Sequence, residues 1–144
     1  MKNLPELNFY TRKIANEHGI NHPELLEIAE LFEKINQELS QHLKNEEVVL
    51  FPAIKEVLAK NTENARSTLI SEISRMADEH EFAGGAMDHI NVLSLNYTTP
   101  ADACNTYQVA FKLLQQFEDD LHIHVHLENN ILYHKALQLA NKKA

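Results

Sequence analysis

Tryptophan is missing from this 144-residue chain, cysteine occurs once, and there are only three glycines and four prolines. A lone cysteine, Cys104, has no partner for an intramolecular disulfide and favours a reducing compartment. Taken alone it reads as a small buried hydrophobe. No apolar run approaches the length of a membrane span, and Met1 is not followed by a secretory signal, so no membrane association is expected and the chain is placed in the cytoplasm. Basic residues are outnumbered 13 to 21, the net charge is −8, and the basic residues form no cluster. That balance argues against nucleic acid as a partner. Strand signals are nearly absent too, and scarce punctuation leaves a few long helices as the expected architecture.

What the chain does have is nine histidines in an acidic background. Its length fits one domain with a real core, and 44% hydrophobic and 24% charged residues are ordinary for a soluble protein. A first helix is expected from about Leu4 to Glu17, with Gly19 just past its end. A second starts with Pro23 in its first turn and continues past Phe51, where Pro52 should kink or break it. The polar stretch Lys60–Asn64 reads as a loop, and a third helix covers roughly Ser67 to Leu95. Tyr97-Thr98-Thr99-Pro100 reads as a loop closing on an N-cap threonine and an N1 proline. The fourth helix runs from there to about Ala140. Four helices with short loops make an all-α, up-down-up-down four-helix bundle.

Apolar residues mark the inward stripe of each helix. In helix two, Leu25, Ile28, Phe32, Ile35, Leu39, His42, Glu46 and Val49 keep a 3,4 spacing. In helix four, Tyr107, Ala110, Leu114, Phe117, Leu121, His124, Glu128 and Ile131 do the same. Helix three contributes Ile73, Met76, His80, Ala83, Met87 and Ile90. Such stripes face the bundle interior. Each of these three carries a histidine, and two add a glutamate one turn on. An unpaired buried carboxylate costs several kcal/mol or is forced neutral. No Lys or Arg lies on the stripes to compensate two of them, whereas a metal ion would. The i, i+4 spacing of His42/Glu46 and of His124/Glu128 puts both donors on one helix face. Imidazole and carboxylate suit iron, manganese or zinc, and two shared carboxylates suit a binuclear centre. A single H-x-x-x-E arises often by chance on helices; two copies on core stripes with a third core histidine do not. A polar core network without metal is the alternative reading.

The two motifs belong to a longer repeat. His42…Glu46…Leu50-Phe51 aligns with His124…Glu128…Leu132-Tyr133, with Pro52 opposite His134. His80 precedes His124 by 44 positions, and the equivalent mate of His42 would fall before Met1. His18 and His22 lie at the far end of helix one and read as helix-end and turn histidines. His89, His122, His126 and His134 lie off the stripes and are expected in solvent or as supports to the ligands.

The strings EHGINHPELLEIAELFEKINQELSQHLKNEEVVLFPAI, RMADEHEFAGGAMDHI, TTPADACNTYQVAF and FEDDLHIHVHLENNILYHKAL closely resemble the hemerythrin-like domain of the Repair of Iron Centres family. The resemblance spans essentially residues 1–144, and the last string is its most specific part. It implies a hemerythrin-like bundle holding an oxo- and carboxylate-bridged di-iron centre. His42, His80 and His124 match terminal iron ligands, and Glu46 and Glu128 match bridging carboxylates. It further implies repair of iron–sulfur clusters damaged by nitric oxide or oxidants, through delivery of iron, with damaged iron–sulfur proteins as clients and room for a homodimer. Carboxylate bridges fit delivery, because they shift and protonate more readily than thiolate ligation releases a metal. The family's fourth histidine, on the first helix upstream of Leu4–Leu7, and its cysteine-bearing N-terminal segment both precede the start of this sequence. Fewer than two metal ions per chain are therefore expected. Three other roles remain: oxygen binding of the hemerythrin type, nitric oxide reduction at the same centre, and a metal-poor structural module. The Glu-x-x-His pair of ferritin-like oxidases occurs nowhere in the chain.

Overall fold

The computed structural model describes residues 3–141, nearly all of them helical. In order these are α1 (Leu4–His18), α2 (Glu24–Asn45), a π turn π1 (Glu46–Leu50), α3 (Phe51–Lys60), α4 (Glu63–Leu93), α5 (Asn105–Leu127), a second π turn π2 (Glu128–Leu132) and α6 (Tyr133–Ala140). Since α2, π1 and α3 run on without a break, as do α5, π2 and α6, the described residues make four helical rods. No strand occurs among the described residues, and the fold is an all-α helical bundle. No helix among the described residues is long and apolar enough to cross a membrane.

Two compact units divide the chain. One comprises Met1–Glu38 and Ala83–His122. Its core draws Leu7 and Ile14 from α1, Ile28 and Phe32 from α2, Met87 and Ile90 from α4, and Tyr107 and Leu114 from α5, all buried. Phe32 and Phe117 meet edge to face, their ring centroids 5.4 Å apart, the geometry that aromatic quadrupoles favour. The other unit comprises Leu39–Phe82 and Ile123–Ala144. There Leu50 and Val57 pack with Leu69, Ile73 and Met76 of α4 and with Tyr133 and Ala136 of α6.

The expected stripes hold up to the two glutamates and then slip. Val49 is only half-buried while Leu50 is fully buried, and Ile131 is exposed while Tyr133 is buried. The π turns cause the slip. The Phe51 N–H reaches back to the Glu46 carbonyl and the Tyr133 N–H to that of Glu128, five residues rather than four. The wider turn rotates the inward face downstream of each glutamate. Pro52, expected to kink or break the helix, instead sits in the first turn of α3, directly after π1, and the rod continues to Lys60. The register is testable. In the metal-free chain, Leu50→Ala should lower stability by about 2–4 kcal/mol, and Val49→Ala by about 1 kcal/mol or less. Urea denaturation reads both, and equal losses would place the inward face at Val49 after all.

Helix limits differ from expectation at two places, each for a local reason. The Lys60–Asn64 loop shrinks to two residues: Asn61 ends α3 with φ 42°, and Thr62 Oγ1 accepts the Ala65 N–H at 3.1 Å, starting α4 at Glu63. Pro100 does not open the fourth rod. It begins a turn closed by the Ala103 N–H on the Pro100 carbonyl at 3.1 Å, and α5 starts only at Asn105. Asp102 within that turn is held by His22 Nε2 at 2.9 Å, a contact that lowers the Asp102 pKa.

Candidate metal centre

Three rods supply the site, all within the second unit. His42 lies in the last turn of α2 and Glu46 opens π1; His124 lies in the last turn of α5 and Glu128 opens π2; His80 comes from α4. One donor atom from each of the five lies within 4.8 Å of the others. Glu128 is the hub. Its Oε1 is 2.6 Å from His80 Nε2, 2.9 Å from His124 Nε2 and 3.4 Å from His42 Nε2. Glu46 Oε1 lies 3.0 Å from His42 Nε2 and 3.9 Å from His124 Nε2. His42 Nε2 and His80 Nε2 are themselves 3.1 Å apart.

Burial makes this crowding expensive. His42, His80, Glu46 and Glu128 are all buried, and only His124 is partly open, its side chain 28% exposed. Burial opposes a charged His42, yet contacts with Glu128, Glu46 and Glu79 outweigh it, and its pKa is raised to about 10. Burial pushes the Glu46 carboxyl up, against the pull of His42. Burial would raise Glu128 as well, but His124, His42 and His80 hold it well below the usual carboxylate range. The site thus gathers positive charge around two carboxylates, which is what a bound cation would do better. Two buried atoms, Glu46 Oε1 and His124 Nε2, have close neighbours but no hydrogen-bond partner. Orphaned donor atoms of the right chemistry, turned into one cluster, fit iron, manganese or zinc.

Neighbouring groups fix the rings from behind, and periodicity did not reveal them. His42 Nδ1 lies 3.0 Å from Glu79 Oε1, and His80 Nδ1 lies 3.1 Å from Asn129 Oδ1. Such partners set the tautomer, leaving Nε2 toward the cluster. Tyr133 stacks on His80 at 5.5 Å and 12°, and its hydroxyl donates to Glu128 Oε1 at 3.3 Å. Glu79 and Asn129 each sit one residue off the stripe, beside His80 and Glu128, so a stripe count passes over them. The four histidines off the stripes are exposed, the solvent alternative of the two expected for them: His89 faces Glu27, His126 contacts Asn130, His134 contacts Gln138, and His122 lies 4.0 Å from Glu118. Glu79→Gln and Asn129→Ala should therefore weaken metal binding about 10–100-fold while His122→Ala leaves it intact. Competition with a chromogenic chelator measures this, and a loss in His122→Ala equal to the others would mean that the wrong face has been identified.

The hemerythrin HHE cation binding domain matches residues 3–136. The chain is 39% identical over 134 residues to a probable iron-sulfur cluster repair protein of Haemophilus influenzae, an alignment covering 93% of this chain and 57% of that protein. It is 32% identical over 127 residues to the iron-sulfur cluster repair protein ScdA of Staphylococcus epidermidis, covering 88% and 55% respectively. With the iron-sulfur cluster repair protein YtfE of Musicola paradisiaca it shares 32% identity over 148 residues, covering 90% and 64%. The chain therefore spans less than two thirds of the length of these relatives.

Proposed function

The chain belongs to the hemerythrin HHE cation-binding domain family, and from that premise we propose that it holds a binuclear iron centre and serves in the repair of damaged iron–sulfur clusters. His42, Glu46, His80, His124 and Glu128 would hold it, the two glutamates supplying its charged oxygen donors. The observation that carries this reading is the convergence of these five donors within 4.8 Å in a buried place where, among the described residues, the ion-pair partners of both carboxylates are histidines and not Lys or Arg. Bound iron supplies redox chemistry at the site and, as the substance delivered, the metal that a damaged cluster has lost. The chain's own part is to hold that iron firmly but not permanently. Glu79 and Asn129 keep two imidazoles aimed, while the carboxylates form bonds that yield more readily than thiolates. Of the five side chains His124 is the most exposed, at 28%, although its Nε2 is buried toward the cluster. Clients are iron–sulfur proteins damaged by nitric oxide or oxidants.

Repair in a purified system tests the proposal. The iron-loaded chain, mixed with a [4Fe–4S] protein bleached by nitric oxide, sulfide and reductant being supplied, should restore the client's cluster absorbance. The His42→Ala/His124→Ala chain should not. Equal restoration by both would separate repair from this centre.

A further inference from the structure

A second group of ligand-type side chains lies in the first unit, at the end of α1. His18 is the last residue of α1, and Cys104 is the residue just before α5, its carbonyl accepting the Gln108 N–H at 3.0 Å. His18 Nε2 and Cys104 Sγ are 3.1 Å apart, and the Glu17 carboxylate completes a trio whose donor atoms all lie within 4.8 Å of one another. Cys104, the chain's one cysteine, is not the buried hydrophobe its isolation suggested but is partly exposed. The imidazole and thiol are already in hydrogen-bond contact, and with the carboxylate they bring three donor types of a metal site to one open spot.

We propose that Glu17, His18 and Cys104 form a single-ion site for a borderline divalent cation of the zinc(II) class, with its fourth position open to solvent. The donor set decides the class: thiolate with imidazole selects borderline-soft ions, whereas the five-donor cluster of the second unit contains no sulfur. Distances agree. Bonds of about 2.3 Å to sulfur and 2.0 Å to nitrogen at a tetrahedral angle put the two donors about 3.5 Å apart. The observed 3.1 Å needs only a small opening. The frame is rigid where it matters, because both sulfur and imidazole come from helix ends. The His18 ring also packs edge-on against the buried Tyr107 at 5.1 Å. His22 sits nearby on the same tyrosine but is engaged by Asp102 at 2.9 Å, so it orders the end rather than joining the trio. Binding forms a metal–sulfur bond as the thiol proton leaves to solvent; nothing is oxidised or reduced.

Cobalt(II) is the probe, because a cobalt–thiolate bond gives a charge-transfer absorption and this chain has a single thiol. Titrated into the full iron-loaded chain, cobalt should produce that band with one equivalent bound at the site. Cys104→Ser should abolish the band, His18→Ala should weaken apparent affinity by about tenfold or more, and the exposed Glu17→Gln by a smaller factor. The His42→Ala/His124→Ala chain should keep the band in full, which separates this site from the iron centre. No band at saturating cobalt in the unmodified chain would overturn the proposal. So would an unchanged midpoint in His18→Ala, since the thiol would then be binding cobalt without its neighbours.

Discussion

Glu128→Ala should leave the purified chain almost free of iron. One oxygen of this carboxylate lies within 3.4 Å of three imidazoles, at 2.6, 2.9 and 3.4 Å, whereas Glu46 approaches only two of them, at 3.0 and 3.9 Å. As a bridge it would be shared by both ions, so its removal costs each of them a charged ligand. Breaking a buried charge contact by deleting one partner typically costs about 3–5 kcal/mol, and 1.4 kcal/mol is tenfold in affinity, so a loss of about 100-fold or more is expected. Glu46→Ala should lower iron content less, in keeping with its longer contacts. Elemental analysis after desalting gives the result, with His122→Ala as the control that retains its iron. Iron retained by Glu128→Ala at the level of the unmodified chain would remove Glu128 from the ligand set.

The second large effect separates the metal as cargo from the metal as scaffold. Imidazole and carboxylate accept zinc as well as iron, so the stripped chain reloaded with zinc should fill the same cluster and keep the same fold. It should nevertheless fail in the repair assay, restoring about as little client absorbance as the metal-free chain, because zinc cannot replace iron lost from a cluster. Reloading with ferrous iron should bring repair back. A zinc-loaded chain that repairs as well as the iron-loaded one would mean that the bundle acts as a binding partner of its clients rather than as an iron source.

Much of the candidate cluster is legible in the sequence because its residues obey the same rule as the core around them. His42 and Glu46 continue the spacing of Phe32, Ile35 and Leu39, and His124 and Glu128 continue that of Leu114, Phe117 and Leu121. Every one of those positions upstream of the π turns is on an α-helix, where the 3,4 count holds. Beyond Glu46 and Glu128 the count fails, since hydrogen bonding five residues back leaves no mark in an apolar pattern. A 3,4 count therefore points Val49 and Ile131 inward, where the structure buries Leu50 and Tyr133. The start of α5 at Asn105, beyond the expected opening, has a different reason. Thr99-Pro100 is a sound local helix opening, but the turn at Pro100–Ala103 and the His22–Asp102 contact, 80 residues apart in sequence, prevail over it. Glu79 and Asn129 act through orientation rather than burial, and only coordinates reveal which ring nitrogen each one faces.

π turns at both glutamates are themselves informative. A one-residue insertion in a helix is seldom favourable by itself and is often found at functional sites. Here each π turn opens at a carboxylate of the cluster and brings an apolar or aromatic residue into the core at its end, Leu50 as the last residue of π1 and Tyr133 directly after π2. The same local device recurs in both halves of the internal repeat, next to the same type of residue.

Iron in this five-residue cluster is located directly by diffraction from crystals of the iron-loaded chain, measured on both sides of the iron absorption edge. Anomalous density should appear among His42, Glu46, His80, His124 and Glu128, flanked by the two glutamates. If two ions share these three imidazoles, one iron peak should be weaker than the other. Iron density at any other place in the chain, or none among these five side chains in crystals whose protein contains iron, would contradict this placement of the iron.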